Sequence, residues 1–245
     1  GFGVSRQMAN NQFLVQPSSG NATLEEIPYR TSNWTTTSLT LEASLLSEAL
    51  GSSKVIAVDP ARDKTIPVTA TTIYSRPLDS LLKPLMHRSD NFYAEQALLM
   101  VGKGLHQSFD DKKTIAYLLA NDLADLAQKP SWVDGSGLSR YNLNTPENYV
   151  AILKKMQDEF GQKRVTHIFE TGGEGTLSAY YKNFPGEIHA KTGSLGGQIA
   201  LSGFIYTHQN QKLYFSVLVA NHMSQSAAQV RRAVETYLTN VTKGL

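Results

Sequence analysis

The chain contains no cysteine, which excludes disulfide staples and thiolate metal sites alike. It also has no apolar run near the ~18–20 residues that a membrane-spanning helix requires. Charge is sparse and nearly balanced: 23 lysines and arginines against 21 acidic residues leave a net +2. With no basic cluster, nothing in that balance suggests nucleic acid as a partner. The 6 histidines form no His-Glu-x-x-His or similar metal spacing, so neither a metal nor an organic cofactor is expected. Internal repeats and low-complexity tracts are absent too. What remains is 245 residues, 41% hydrophobic, enough for one large globular domain or two small ones. The chain opens Gly1-Phe2-Gly3 without an initiator methionine or signal peptide, and Gly1 reads as either a cloning scar or a processing point, either of which implies sequence removed upstream.

Two halves differ in pattern. Residues 1–74 are irregular and β-rich: 12–16 alternates like a strand, 17–21 is turn chemistry, and 32–37 is polar and β-branched. A short helix at 39–50 would stop at Gly51, and strands are expected at 54–58 and 65–73. From Ser75 helical spacing takes over. Ser75 is placed to cap a helix with Pro77 in its first turn, and Leu78, Leu81, Leu82 and Leu85 share one face. Further helices are expected at 92–101, closed by Gly102 and Gly104, at 114–128, and at 146–160 behind a Thr145 cap. Residues 172–177 open a shorter helical piece. Strands follow at 187–191, 198–207 and 212–221, the last two forming a hairpin, and a closing helix spans 224–240. Helices first and an antiparallel sheet later indicate an α+β fold, with a boundary near Tyr74.

The chemistry-bearing residues are separated in sequence. Around residue 191 the chain reads His189-Ala190-Lys191-Thr192-Gly193-Ser194-Leu195-Gly196-Gly197. A strand reaching Gly193 would turn through 194–197 and restart at Gln198, its glycines permitting positive φ and close backbone approach. An ammonium, a hydroxyl and a bare strand edge would then face one spot, where a carboxylate-ended peptide could lie. The partner stretch is Ser89-Asp90-Asn91, in a loop between two helices that would expose Ser89 and Asn91 on one side. Read alone, Asp90 is also a helix cap and Asn91 also a turn residue.

Four motifs occur in order: His87-Arg88-Ser89-Asp90-Asn91-Phe92-Tyr93-Ala94-Glu95-Gln96, Asp134-Gly135-Ser136-Gly137-Leu138-Ser139-Arg140, Gly172-Gly173-Glu174-Gly175-Thr176-Leu177 and Ala190-Lys191-Thr192-Gly193-Ser194-Leu195. Together they resemble the class C low-molecular-mass penicillin-binding proteins, the D-alanyl-D-alanine carboxypeptidase/endopeptidase family, closely over 75–240 and more loosely over 1–74. That resemblance implies the penicillin-recognising α/β sandwich, an antiparallel sheet flanked by helices. The helical subdomain would span about 75–165 and the sheet with its closing helix about 185–241, while 1–74 would be the tail end of an inserted β-rich domain. It implies a serine peptidase of peptidoglycan maturation, outside the cytoplasm, that takes stem peptides and β-lactams and needs no cofactor.

Residue by residue, the resemblance makes Ser89 the proton relay to the leaving amine. Asn91 would hold the substrate amide and orient the nucleophile's lysine. Lys191 and Thr192 would bind the terminal carboxylate, and the strand beyond Gly193 would pair with the peptide, giving an oxyanion N–H near Ser194 or Leu195. Leu138 and Arg140 would line the peptide side-chain pocket, although Arg140 could instead brace its loop by pairing with Asp134.

The nucleophile's Ser-x-x-Lys departs from the pattern. The one such spacing present is Ser80-Leu81-Leu82-Lys83, about 13 Å along a helix from Ser89 and far outside proton-transfer reach. Pro84 also disfavours helical geometry at Lys83. The expectation is that the nucleophile lies in absent upstream sequence and that this chain alone does not acylate. Rival readings are a β-lactamase or esterase on the same fold and a non-catalytic relative that binds wall peptide. An unpaired sheet edge would invite a homodimer or a missing N-terminal partner segment.

Overall fold

The computed structural model describes residues 74–223 and 226–244, a strand pair at 2–6 and 13–17, and positions 43, 45–51, 55 and 71. The chain divides into two compact units, 1–74 and 75–245. In the first, β1 (Phe2–Arg6) pairs antiparallel with β2 (Phe13–Pro17), from Phe2 opposite Pro17 to Arg6 opposite Phe13. Residues 45–49 are helical and Gly51 follows with φ +59°, a left-handed stop suited to glycine. Apart from Val55 and Thr71, the expected strands at 54–58 and 65–73 lie outside the described residues, as does the stretch 32–37.

The second unit places a sheet between helices. Five helices lead in: α1 (Asp79–Arg88), α2 (Asn91–His106), α3 (Asp111–Ala120), α4 (Pro146–Phe160) and α5 (Gln162–Ile168). The sheet follows as β3 (Glu170–Thr171), β4 (Ile188–Leu195), β5 (Gln198–Tyr206) and β6 (Lys212–Ala220), antiparallel throughout and ordered β3-β4-β5-β6. A 3₁₀ turn, Gly175–Leu177, lies between β3 and β4, and α6 (Ala227–Gly244) ends the unit. Alternation along β5 buries both faces. Leu201 and Ile205 join Ile188, Ala190, Val234 and Leu238 in a core under α6, while Phe204 packs with Leu153, Val165 and Phe169 under α4 and α5. Each of these side chains larger than alanine contributes about 1.5–3 kcal/mol when fully buried.

Several elements depart from expectation for identifiable reasons. Ser75 does not cap α1; its hydroxyl donates to the Arg76 carbonyl and the helix starts at Asp79. Pro84 sits inside α1 with Lys83 still helical, so the turn tolerates one absent N–H. Helix α2 runs through Gly102 and Gly104 instead of ending there. Gly102 is needed for close approach, since a Cβ on it would stand 2.3 Å from Thr114 Oγ1 of α3. Helix α3 stops at Ala120, where the Asn121 side chain donates back to the Tyr117 carbonyl at 2.8 Å. The Gln128 backbone is taken by buried Asn148, which donates to its carbonyl at 2.6 Å. Helix α4 obeys its cap signal: Thr145 Oγ1 accepts from Asn148 N, with Pro146 at the first position.

Candidate active site

Ser89 occupies the junction of α1 and α2. It is left-handed, φ 53° and ψ 52°, and its N–H donates to the Leu85 carbonyl, as does that of Asp90. Such a backbone in a serine costs on the order of 1 kcal/mol and turns the side chain out of the helix. Asp90 then caps α2, accepting from Tyr93 N at 3.0 Å, and Asn91 follows as the first, exposed residue of that helix.

Strand β4 brings Lys191 to this junction. Its Nζ donates to Ser89 Oγ at 3.0 Å and to the Thr192 carbonyl at 2.8 Å. An ammonium has three donors, so one remains for a ligand. Burial pulls the Lys191 amine below the ordinary lysine range, and the charge of Glu170 draws it back up. Beyond His189 and Ala190, which pair with Thr171 and Glu170, residues 191–195 have no partner strand on that side among the described residues. Their other side is fully paired with β5, from Lys191 opposite Ser202 to Leu195 opposite Gln198. The strand continues through Ser194 and Leu195, so the turn to β5 is only Gly196 and Gly197. Of the three glycines expected to use positive φ, Gly197 alone does so, at +77°. Gly193 is extended, its α-carbon facing Ala200 of β5.

The remaining candidates sit around this edge. The hydroxyls of Thr192 and Thr176 are 2.6 Å apart, and Ser194 Oγ accepts from Arg231 Nη2 of α6 at 2.5 Å. The Arg140 guanidinium reaches the β4–β5 turn, 3.1 Å from where a Cβ on Gly196 would lie. Leu138 is exposed on the same loop. Asp134 is not paired with Arg140. Instead its carboxylate accepts from Gly137 N (2.5 Å), Ser139 N (2.8 Å), Asn142 Nδ2 (3.1 Å) and Ser136 Oγ (3.3 Å). Asn91 makes no hydrogen bond to Lys191, nor Ser80 to Lys83. Among the described residues no group of histidines and acids is arranged to hold a metal ion.

The four motifs interlock. Glu95 of the first accepts from Gly135 N and Ser136 N of the second. Gly175 of the third lies so close to the His87 carbonyl that a Cβ would stand 2.6 Å from it, and Thr176 meets Thr192 of the fourth. Sequence reasoning missed Glu170 and Arg231. Glu170 is fully buried on a two-residue strand, too short for periodicity to register, and Arg231 reads as an ordinary helix-surface charge. The one available hint for Glu170 was an acid directly after the apolar pair Ile168-Phe169.

An antiparallel sheet covered by helices on both faces, with serine and lysine meeting at a strand edge, defines the class: a penicillin-recognising α+β fold. The chain belongs to the D-Ala-D-Ala carboxypeptidase 3 (S13) family, which it matches over residues 6–241. It is 31% identical over 159 residues to D-alanyl-D-alanine carboxypeptidase DacB of Haemophilus influenzae, covering 58% of this chain and 31% of that protein. To penicillin-sensitive carboxypeptidase A of Dictyostelium discoideum it is 28% identical over 169 residues, 63% of this chain and 32% of that one. The chain therefore spans about a third of the length of these curated relatives. Among solved structures, penicillin-binding protein 4 (dacB) of H. influenzae in complex with a β-lactam aligns with a TM-score of 0.66 at 19% identity, over 99% of this chain and 59% of that one.

Proposed function

We propose that the complete protein is a serine-type D-Ala-D-Ala carboxypeptidase, with endopeptidase action on the same stem peptides, working outside the cytoplasm on peptidoglycan and acylated by β-lactams. The observation that carries this reading is the 3.0 Å contact between Lys191 Nζ and Ser89 Oγ at the open edge of β4. Family membership supports the reaction class.

The nucleophilic serine and its lysine come from residues outside this chain. Ser80 is exposed on the second position of α1, and it lies roughly 13 Å along that helix from Ser89. As the nucleophile attacks the D-Ala-D-Ala carbonyl, Ser89 Oγ passes the proton to the leaving amine, held in place by the Lys191 ammonium. The third N–H of Lys191, with Thr192, takes the terminal carboxylate, and the free edge from Gly193 to Leu195 pairs with the peptide and offers an oxyanion N–H. Asn91 holds the substrate amide. Arg140, over the β4–β5 turn, and Leu138 contact the peptide side chain. Residues 1–74 belong to an inserted accessory domain, and a second copy or an upstream segment completes the sheet at its unpaired edges.

A fluorescent penicillin tests this. The complete protein should label covalently, Ser89→Ala and Lys191→Ala should slow labelling at least about a hundredfold, and the 245-residue chain alone should not label. Labelling of the chain alone, or none of the complete protein, overturns the reading.

A further inference from the structure

Glu170 is 0% exposed, yet it lies one residue pair from the lysine just described: on β3 it stands opposite Ala190, the neighbour of Lys191. Its two oxygens have distinct partners. Oε2 accepts from Thr176 N at 2.5 Å, while Oε1 is hydrogen-bonded to the Thr176 hydroxyl. That hydroxyl is in turn 2.6 Å from Thr192 Oγ1. A continuous chain thus runs from the buried acid through Thr176 to Thr192, which borders Lys191. Nothing larger than glycine fits beside it: a Cβ on Gly175 would stand 2.2 Å from Oε2.

Each hydroxyl has one hydrogen, so the chain has a direction. When Glu170 is ionised both its oxygens only accept. Thr176 must then donate to Glu170 and Thr192 to Thr176, which leaves Thr192 with lone pairs alone for whatever is bound beside Lys191. A ligand carboxylate there would face lone pairs. When Oε1 carries a proton the direction reverses: Glu170 donates to Thr176, Thr176 to Thr192, and Thr192 has its hydrogen free for the ligand.

We propose that Glu170 is a positioning residue that sets the direction of this hydroxyl chain, so that an anion seated against Lys191 and Thr192 binds together with one proton on Glu170 Oε1. The inference rests on the reading that Lys191 and Thr192 form the carboxylate seat. The proton comes from solvent, each hydrogen of the chain moves over by one partner, and no other bond changes. Electrostatics act in the same sense. Burial pushes the Glu170 carboxyl up, against the hydrogen bonds from Thr176, the charge of Lys191 on β4 and the Leu177 backbone N–H. A bound anion takes up part of that lysine's field, and a second negative charge beside it is then harder to hold. The other charged groups at this end are Lys83 and His87 on α1, His189 on β4 and Glu174 in the turn, whose field falls on both histidines.

The test is the pH dependence of binding of N-acetyl-D-alanine, an uncleavable carboxylate, to the complete protein, followed by NMR from about pH 5 to about pH 9. For the native protein the Kd should rise with pH as Glu170 titrates, by up to about tenfold per unit, the limit for one linked proton. In Glu170→Gln the amide donates permanently to Thr176 while its carbonyl accepts from Thr176 N, so binding should persist with that slope removed. Lys191 discharges at lower pH in Glu170→Gln, which lacks the charge that draws its amine up, so the slopes are compared on the acid side of that loss. Thr176→Val cuts the chain but keeps the carboxylate, and should reduce the slope to the part carried through space. The native slope retained in Glu170→Gln overturns the proposal; if that variant does not fold, the full slope retained in Thr176→Val does so. Absence of binding at every pH rejects the carboxylate seat, and the proton coupling with it, whereas intact binding with no slope rejects the coupling alone.

Discussion

Two carboxylates each gather a glycine-containing loop: Asp134 the loop bearing Leu138 and Arg140, and Glu170 the turn at 172–177. Asp134 is partly exposed and takes four donors. Burial alone would raise its carboxyl, but hydrogen bonds from Asn142, Ser139, Gly137 and Ser136 together hold it below the ordinary aspartate value. Glu170 is sealed from water, with hydrogen bonds from the Thr176 hydroxyl and backbone and a lesser pull from the Leu177 backbone, and there burial prevails and the carboxyl moves up. The difference shows what decides the charge of a loop-bracing acid. Enough donors keep it an anion and a fixed anchor; too few in a dry site leave it ready to carry a proton. The anchored acid holds a loop at the rim, and the protonatable one is linked through two threonines to the strand position beside the lysine at the candidate site.

The largest effect that would separate the two regions comes from placing alanine at one glycine in each. At Gly175, φ +48°, an added Cβ runs into Glu170 Oε2 at 2.2 Å and the His87 carbonyl at 2.6 Å. Gly175→Ala should therefore cost about 3 kcal/mol. At Gly137, φ +77°, the same Cβ meets nothing within 4 Å. Only the left-handed backbone is strained, for about 1 kcal/mol. Urea midpoints of the two variants measure the gap; equal losses would mean that the buried turn yields as readily as the surface one.

A smaller effect, and one of opposite sign in the two loops, is expected from pH. Asp134 has a lowered folded pKa. Its contribution to stability is present above the unfolded value, near 3.8, and is lost as pH falls through the folded one. Acid should therefore close the stability gap between native protein and Asp134→Asn. Glu170 has a raised folded pKa. Its contribution is full below the unfolded value, near 4.5, and is lost as pH rises through the folded one, by about 1.4 kcal/mol per unit of separation. Relative to Glu170→Gln, the native protein should lose stability towards neutral pH. Two gaps moving in the same direction would undo the contrast.

How far these features could be read in advance follows from where their causes lie. The α4 cap, the β5–β6 hairpin and the rough place of the second unit's helices other than α5, which was not expected, depend on neighbours a few residues apart, and Thr145-Pro146 or the alternation at 198–207 carries them. The meeting of residues 89 and 191 was legible only because two short motifs resemble a family's; no periodicity places a loop against a strand about a hundred residues on. What escaped depends on contacts made elsewhere in the chain. Gly102 looks like a stop until Thr114 packs on it. Asn121 and Asn148 shorten α3 by drawing off backbone groups that composition assigns to a helix. Glu170 looks like a surface acid before a glycine turn, because its burial is supplied by β4, the 3₁₀ turn and the end of α1, none adjacent in sequence.

The smallest expected effect concerns the exposed side of the site, and it tests whether the serine is held as passively as its surroundings suggest. Asp90 accepts one backbone hydrogen bond, from Tyr93 N, and faces no cation in an ion pair. Asp90→Ala should lower stability by about 1 kcal/mol, the ordinary cost of a lost helix cap. The left-handed turn at Ser89 is held separately, by the N–H groups of residues 89 and 90 on the Leu85 carbonyl, and alanine keeps both. The Ser89–Lys191 contact should therefore survive, with the penicillin-labelling rate of the complete protein within about threefold of native, less than 1 kcal/mol in the barrier. A labelling loss near that of Ser89→Ala would mean that the cap aims the serine, and that the exposed junction is as finely set as the buried acid across from it.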